Sequence, residues 1–229
     1  MRLDKYLSDR GFGTRKEVKA LIQKGRVTVG GSVIKTPDYS VNEGQAVEVD
    51  GLPAEKEAFE YWILYKPAGY LSATEDSNHP VVTSLIPSKR KGLAPVGRLD
   101  LDTEGLLLLT NDGALSHRLL SPKNEIEKTY YAELDADLPA DAELQFSEPM
   151  VFSDFTAKPA KAFQQLSPRS ALLTITEGKF HQVKRMFAKI GCRVVYLRRE
   201  RFSGITLQGL KPGEARRLKE DEISTLKAL

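Results

Sequence analysis

This sequence of 229 residues lacks several features that mark other classes of protein. A single cysteine, Cys192, excludes an internal disulfide and fits a reducing cytoplasm. There is no basic segment followed by a short apolar run, as in a secretory signal peptide, and no apolar stretch long enough to cross a bilayer. Histidine is scarce, and His79 and His117 have no partners at zinc-ligand spacing. These absences predict a globular cytoplasmic protein that contacts no membrane and holds no metal.

Net charge is small, but its distribution along the chain is uneven. The total is +3. Residues 1–35 contain nine Lys or Arg against three Asp or Glu, and residues 179–201 contain eight against one, whereas residues 36–60 contain one against seven. Two basic islands in a nearly neutral protein suggest two contact surfaces for a polyanion such as a nucleic acid. The alternative is that each island is an ordinary solvated helix face.

Residues 1–51 have the pattern of a small α/β module. An apolar helical face at residues 3–7 is followed by Thr14-Arg15-Lys16-Glu17, a capping box that begins a second helix. Two short strands, the first starting at Arg26, flank the turn Gly30-Gly31. The basic side chains predicted to face outward from the second helix are Arg15, Lys16 and Lys19.

Residues 52–60 are rich in charge, contain a proline and form the predicted linker to a larger domain at residues 61–229. In that domain, Lys128–Leu134 alternates as a half-buried strand. Residues 181–190 have the period of an amphipathic helix that ends before a glycine. Short strands with helices interspersed predict an α+β fold.

The most informative stretch is residues 96–113. Three carboxylates stand there between two glycines, directly before four consecutive leucines and a turn. A short apolar run bounded by turn residues is typical of a strand buried on both faces, so the acidic segment is predicted to be the loop before a core strand. If residues 98–102 are extended, Leu99 and Leu101 point into the core. The side chains that then share one cleft are Arg98, Asp100 and Asp102.

Three other readings of these carboxylates compete. Asp100-x-Asp102-x-Glu104-Gly105 imitates the start of an EF-hand loop, but the twelfth position, which must be Glu, is Asn111, so calcium is excluded. Carboxylates two residues apart on a strand lie roughly 6.5 to 7 Å apart, close to the separation in an inverting glycosidase, so hydrolysis of a glycosidic bond stays open. The last reading is an acidic, solvated loop with no catalytic role.

The stretch from Gly97-Arg98-Leu99-Asp100 through Asp102-Thr103 and Gly105 to the four leucines resembles the signature of the rRNA pseudouridine synthases of the small-subunit, RsuA-like branch. Further matches to that family are Lys66-Pro67-Ala68-Gly69, Glu127-Lys128-Thr129-Tyr130 and residues 177–187. Residues 1–51 resemble the S4 domain, which binds structured RNA. The resemblance covers essentially the whole chain. One departure is Tyr65, where the family usually has Asn.

The resemblance implies an enzyme that isomerises a uridine of ribosomal RNA, in the 16S RNA of the small subunit, to pseudouridine without a metal or nucleotide cofactor. Asp100 is then the essential residue, acting at the ribose either as a nucleophile on C1′ or as a base. The target base must leave its stack, and Tyr130 is the platform on which the flipped uracil stacks. Lys184 stands where related branches carry an Arg paired with the catalytic Asp, so it is expected to keep Asp100 ionised.

The resemblance also implies contacts with RNA. Arg98 is expected to be the wedge that occupies the place left by the flipped base. His181 is expected to be a hydrogen-bonding or helix-capping residue, and the basic loop at residues 88–92 to touch phosphate. The other expected phosphate contacts are Arg15, Lys16, Lys19, Arg26 and Arg185. The expected partner is small-subunit rRNA or an assembly intermediate, bound by a monomer, and the family's fold is a mostly antiparallel mixed sheet split by a central cleft.

Other functions stay open from the sequence. An S4 module would also suit a non-catalytic RNA-binding or ribosome-assembly factor, although an intact set of Asp100, Tyr130 and Lys184 argues against it. Large-subunit synthases share these motifs, so the sequence does not fix the target uridine. A nucleoside hydrolase would use the same carboxylates, but nothing in the sequence positions a catalytic water.

Overall fold

The computed structural model describes residues 1–42, 44–54, 59–88 and 92–229. The chain divides into two compact units, Met1–Phe59 and Glu60–Leu229. Three residues of the predicted basic loop, 89–91, lie outside the described residues. No helix in the part of the chain that the structure describes has the length and apolar character needed to cross a membrane.

The first unit packs two helices against a four-stranded antiparallel sheet of strand order β2-β1-β3-β4. Its elements are α1 (Leu3–Ser8), α2 (Arg15–Gln23), β1 (Val27–Val29), β2 (Ser32–Val33), β3 (Val47–Val49) and β4 (Leu52–Pro53). The predicted capping box is confirmed, because Thr14 Oγ1 accepts from the Glu17 amide while the Glu17 carboxylate accepts from the Thr14 amide. Val18 and Ile22 of α2 are fully buried in the core of this unit.

The sheet extends into the predicted linker. Leu52 and Pro53 pair with Val49 and Glu48, so the first two residues of the segment 52–60 belong to the first unit. A proline fits there because β4 lies at the edge of the sheet, where its missing N–H leaves no partner strand unpaired.

The second unit is built on a mixed sheet with strand order β11-β12-β8-β13-β7-β5-β15, with β14 paired to β13 and β6 to β7. Its strands are β5 (Tyr61–Lys66), β6 (Ala94–Pro95), β7 (Glu104–Thr110), β8 (Lys128–Leu134), β11 (Ala162–Ser167), β12 (Ser170–Ile175), β13 (Val194–Phe202), β14 (Ile205–Thr206) and β15 (Ala215–Arg217), with β9 (Met150–Val151) and β10 (Thr156–Ala157) forming a separate hairpin. Its helices are α3 (Gly113–Leu120), α4 (Ala142–Phe146), α5 (Gln182–Lys189) and α6 (Glu220–Ala228), with 3-10 turns at Val82–Leu85 and Pro122–Asn124. The α+β prediction is confirmed.

The four leucines form the centre of this unit. Residues 106–109 are at most 2% exposed, which confirms a strand buried on both faces. Leu107 and Leu109 join a large core with Phe146 of α4 and Phe187 of α5, whose rings meet edge to face at 5.0 Å. Burial on both sides gives β7 a fixed position, so the loop that precedes it starts from a rigid mount.

One strand pairing in the sheet, between β7 and β13, is short and parallel. β7 and β13 pair in parallel through two register positions, Arg198 with Glu104 and Arg199 with Gly105, whereas the other strand pairs of this sheet are antiparallel. Gly105 has φ +104°, and a Cβ there would lie 2.3 Å from the Arg199 carbonyl oxygen. Only glycine lets the two strands approach this closely.

Candidate active site

The acidic loop, residues 98–103, turns sharply before it enters β7. Leu101 and Asp102 are the central residues of this turn. Leu99 is buried, as predicted, but Leu101 is 37% exposed, so the prediction that both leucines face the core was wrong. Side chains alternate only along an extended strand, and the turn ends that alternation. The turn nevertheless leaves the carboxylates of Asp100 and Asp102 within reach of one cation.

A buried lysine, Lys66, contacts the backbone of the acidic loop. Lys66, at the end of β5, is completely buried, and its Nζ lies within hydrogen-bond distance of four backbone carbonyls. These are the carbonyls of Thr103 at 2.8 Å, Asp100 at 3.0 Å, Pro67 at 3.1 Å and Leu101 at 3.3 Å. Burial lowers the pKa of Lys66 to about 8, against the pull of the nearby carboxylates. The Lys-Pro motif thus fixes the loop's backbone, a positioning role that its sequence did not reveal.

A second lysine, Lys184, pairs with two side chains of the same loop. Lys184 Nζ, on α5, lies 3.1 Å from Asp100 Oδ2 and 2.6 Å from Asp102 Oδ1. Burial acts to lower the pKa of Lys184, but the hydrogen bonds to Asp102 and Asp100 outweigh it and the pKa is raised. Burial likewise acts to raise the pKa of Asp102, yet its bond to Lys184 leaves that pKa lowered. Both charges are therefore stabilised together, and Asp102 shares the cation predicted for Asp100 alone.

His181, expected to be a hydrogen-bonding or helix-capping residue, occupies the N-cap position of α5 with its ring facing Asp100. Its side chain makes no capping hydrogen bond to α5, and Nε2 lies 3.5 Å from Asp100 Oδ1. Its backbone adopts φ +49°, a strained value for a residue with a side chain. Its ring stacks on the 71% exposed Phe180 with centroids 3.8 Å apart. The spacing of His181 and Lys184, one helical turn apart, was the available signal for this arrangement.

Tyr130 and Arg98 complete the pocket around Asp100. Tyr130 is 8% exposed and lines the pocket together with Asp100, His181 and Lys184. Its neighbour Tyr131 points to the opposite face of β8, where it packs against another tyrosine, as alternation predicts. Arg98 is exposed at the mouth, and its guanidinium makes no hydrogen bond or ion pair with any described residue. The carboxylate of Asp100, the ring of Tyr130 and the guanidinium of Arg98 thus line one cleft, and the ring is large enough to stack on a nucleobase.

The family profile described as RNA pseudouridylate synthase matches residues 60–189, and that of the S4 domain matches residues 1–47. The chain belongs to the RNA pseudouridine synthase family. The synthase is 42% identical to the ribosomal small subunit pseudouridine synthase A of Salmonella typhimurium, over 99% of this chain and all of that one. It is 38% identical to the ribosomal large subunit pseudouridine synthase B of Bacillus subtilis, over 100% of this chain and 96% of that one.

The fold of the synthase also matches a solved relative. A crystal structure described as that of a pseudouridylate synthase has 32% sequence identity to it and a TM-score of 0.71, covering 99% of each chain. The RsuA-like resemblance and the assignment as an isomerase are thereby confirmed. The identity of the target RNA is a separate question, because relatives named for both ribosomal subunits match over their whole length.

Two arginines expected to bind phosphate are already engaged in the synthase. Arg185 pairs with both carboxylate oxygens of Asp154 and lies over the rings of Phe152 and Phe155 at 4.7 and 4.6 Å. Arg26 forms a two-pronged ion pair with Asp50. Their guanidinium groups have intramolecular anions because distant segments bring carboxylates to them, which the local sequence does not show. The remaining cations expected to contact phosphate, Arg15, Lys16 and Lys19, are exposed on α2.

The departure from the family pattern at Tyr65 lies away from the pocket. Tyr65 is 7% exposed, and its hydroxyl accepts a long hydrogen bond, 3.5 Å, from Arg198 Nη1. Arg198 in turn lies over the rings of Tyr131 and Tyr196 on the face of the sheet opposite Tyr130. The substitution therefore changes packing behind the sheet and not the lining of the pocket.

Proposed function

We propose that this synthase converts a uridine of small-subunit ribosomal RNA to pseudouridine, with Asp100 as its essential residue. The observation that carries the proposal is the contact of Asp100 with Lys184, 3.1 Å, in a pocket walled by Tyr130. The choice of subunit is supported by 42% identity to a small-subunit synthase against 38% to a large-subunit one. One chain supplies all three side chains, and the proposal includes action as a monomer.

The chemistry follows from what pseudouridine formation requires. The bond between ribose C1′ and uracil N1 breaks, the uracil turns over, C1′ joins C5, the C5 hydrogen leaves as a proton, and N1 takes up a proton. No electrons are gained or lost overall. The reaction needs an ionised carboxylate at the ribose, as nucleophile on C1′ or as base, and Asp100 supplies it. Its side chain is 27% exposed, and the ammonium of Lys184 lies 3.1 Å from it.

The remaining residues hold the base. A uridine in a structured RNA must leave its stack to reach Asp100, which costs a few kcal/mol of stacking. Tyr130 offers one face to the detached uracil and so keeps it in the pocket while it turns. Arg98, whose guanidinium has no hydrogen-bond or ion-pair partner among the described residues, takes the place of the flipped base in the RNA. The exposed cations of α2 supply contacts with phosphate that do not depend on sequence.

The test compares Asp100→Asn with Asp102→Asn in single-turnover reactions. The substrates are 16S and 23S rRNA fragments carrying tritium at uridine C5, so that tritium release reports the reaction. The amide keeps the size of the carboxylate and removes its charge. We expect Asp100→Asn to lose activity by at least about 10³-fold while binding RNA within a few fold of wild type, since a nucleophile or base at the reacting centre supplies effects of this size.

Asp102→Asn is the matched control, because it removes the second carboxylate on the same ammonium. We expect it to keep substantial activity. Loss of activity only in Asp102→Asn, or equal loss in both, would contradict the assignment and support a mechanism with two carboxylates. Tritium release from 23S but not 16S fragments would contradict the choice of subunit while leaving the chemistry intact. Mapping pseudouridines in ribosomal RNA from cells lacking the protein then identifies the uridine.

A further inference from the structure

A second cavity, called the inner cavity below, adjoins the catalytic pocket at Tyr130 and is not lined by Asp100. Its volume is about 150 Å³, and it extends between β8, β13 and the turn that follows α3. Tyr130 and Arg98 line both this inner cavity and the catalytic pocket, so the two spaces are neighbours. The proposed chemistry at Asp100 makes no use of the inner cavity.

Two buried cations line the inner cavity. Lys128 is 9% exposed and Arg199 is 2% exposed, and they lie on the adjacent strands β8 and β13. Lys128 Nζ donates to the Ile126 carbonyl at 2.7 Å, and Arg199 Nε donates to the Leu106 carbonyl at 2.7 Å. Among the described residues, neither cation has a carboxylate partner. Arg199 Nη2 is also buried and has no hydrogen-bond partner among the described residues.

This arrangement is electrostatically incomplete. Burying a charge without a counter-ion is costly, and two buried like charges repel each other as well. Burial first, and the charge of Arg199 second, lower the pKa of Lys128 to about 8. Contacts with the Phe202 ring, 5.6 Å from Lys128 and 5.3 Å from Arg199, compensate only in part. An anion between the two cations would satisfy both charges and the free Nη2 donor.

The cavity's other charged groups keep it positive. Lys179 and Arg98 also line it, and one carboxylate, Glu177, faces them. Glu177 Oε1 is already the acceptor for the Lys158 amide at 2.8 Å and for Gln182 Nε2 at 2.7 Å. Four cations against one engaged carboxylate leave an excess of positive charge and of hydrogen-bond donors. Phosphate, with several strong acceptor oxygens on one small group, matches such a site.

We propose that the inner cavity binds a phosphodiester group of the RNA substrate, the one next to the uridine held at Asp100. The inference rests on the proposed function for the position of that uridine. Lys128 and Tyr130 are two residues apart on one face of β8, which separates them by roughly 7 Å. That spacing suits a nucleotide whose base lies against Tyr130 while its adjoining phosphate reaches Lys128 and Arg199.

The test makes single phosphates of the RNA uncharged. Fragments of the target rRNA are synthesised with a methylphosphonate at each linkage from two before to two after the target uridine, one at a time. In single-turnover reactions with wild type, we expect one linkage adjoining the target to cost about tenfold or more, since a hydrogen bond to a charged group has this value. The other linkages should cost much less. Equal losses at all positions would overturn the inference.

Lys128→Met provides the second arm. On unmodified RNA, the single-turnover rate of Lys128→Met should fall by about the same factor that the methylphosphonate at the sensitive linkage costs wild type. On the fragment that carries this methylphosphonate, the rate of Lys128→Met should fall no further. If the two losses multiply, Lys128 does not contact that phosphate and the inference fails. Lys123→Met removes an exposed lysine nearby in the chain and should match wild type at every linkage. Equal losses in the wild-type series would overturn the inference without any variant, so it stays falsifiable even if Lys128→Met does not fold.

A third arm separates RNA phosphate from free phosphate. Inorganic phosphate that competes with RNA in a wild-type enzyme tolerant of every neutral linkage would mean a site for the free anion, and the RNA assignment would be wrong. The proposed function has its own readout in the same reactions. No pseudouridine from unmodified fragments would contradict the proposed function, whereas pseudouridine with no sensitive linkage would contradict this inference alone.

Discussion

The exposed face of α2 and the segment from Lys179 to Arg201 carry similar densities of positive charge and use it differently. On α2 the side chains of Arg15, Lys16 and Lys19 extend into solvent. In the second segment six of the eight cations have a partner inside the protein. The ion pairs are Lys184 with Asp100 and Asp102, Arg185 with Asp154, Arg193 with Asp135, and Arg198 with Glu200, while Lys189 and Arg199 donate to the carbonyls of Val151 and Leu106. Under the proposed function, one island is a surface for an external polyanion, and the other is largely a set of internal ion pairs and hydrogen bonds.

The difference shows that charge density along a chain does not determine what the charges do. A cation is neutralised when the fold brings an anion or a carbonyl to it, and it is available to RNA when the fold does not. Contacts of an exposed cation with phosphate release counter-ions and so depend strongly on salt, whereas an internal ion pair acts on geometry and on protonation. The two islands should therefore respond to different measurements.

The largest effect is expected at Lys184. Lys184→Met keeps the length of the side chain and removes its charge, so we expect the single-turnover rate to fall by about 10² to 10³-fold, as for loss of one charge-stabilising group in an active site. Lys184→Arg should keep much of the activity, because a guanidinium supplies the same charge. A Met variant with the wild-type rate would show that the internal ties of the second island do not support catalysis.

The pH dependence of Lys184→Met has a definite sign. The ammonium keeps the pKa of Asp102 below its ordinary value, so in wild type this carboxylate stays charged well into the acidic range. Without the ammonium, the pKa of Asp102 should rise, so that this carboxylate takes up its proton at higher pH in Lys184→Met than in wild type. The measurement is an NMR titration of the Asp102 side chain in both proteins, and the same titration midpoint in both would contradict the pairing.

The next effect concerns Lys66, a cation outside both islands that is tied to backbone carbonyls. Lys66→Met leaves those carbonyls buried without a donor, so we expect the free energy of unfolding to fall by roughly 2 kcal/mol. The folded-state pKa of about 8 is below the ordinary 10.5, so the unfolded chain binds more protons between these values and wild-type stability should rise with pH there. Denaturant titrations at pH 7.5 and 9.5 measure this rise, which should be smaller in Lys66→Met. An equal rise would show that Lys66 does not titrate in that range.

A smaller effect is expected on α2. Replacing Arg15, Lys16 and Lys19 together by Ala should lower the slope of log affinity against log salt by about two to three, because each cation that no longer neutralises a phosphate releases about one counter-ion fewer. The chemical step at saturating enzyme should not change, because these residues lie outside the active site. RNA binding measured at four salt concentrations gives the slope. An unchanged slope would mean that this surface faces away from RNA, and the contrast between the islands would disappear.

The smallest effect is expected at Arg185. Because its guanidinium is tied to Asp154 and stacked on two phenylalanines, Arg185→Ala should lower the melting temperature slightly and leave the salt slope of RNA binding unchanged. The measurements are thermal unfolding and the same salt titration. A slope lowered by about one, with unchanged melting, would show that Arg185 exchanges Asp154 for phosphate and belongs with the α2 cations.

Local rules predicted most of the fold. The capping box at Thr14, the leucine run of β7 and the alternation at Tyr130 each depend on neighbours in the chain, and the structure has all three. The extended conformation predicted for Leu99 to Asp102 was wrong. The carbonyls that contact Lys66 Nζ belong to a turn, and no residue type in that loop requires a turn there.

The ion pairs between residues distant in the chain were the main feature that the sequence did not predict. Asp154 meets Arg185 across 31 residues and Asp50 meets Arg26 across 24, and neither pair leaves a local pattern. The family resemblance, not periodicity, pointed to Asp100 and Lys184 as partners. It did not show that Asp102 would share the ammonium or that His181 would lie beside the same carboxylate.

The short parallel joint between β7 and β13 makes the catalytic sheet two half-sheets. Asp100 and Lys66 belong to the half containing β5, β7 and β15, whereas Tyr130 lies in the half containing β8, β12 and β13, and Lys184 lies on the helix that precedes β13. Buried side chains from both halves form one continuous core, and Gly105 brings the two strands into close contact where they pair. The ion pair of Asp100 with Lys184 therefore joins the two halves a second time, at the pocket.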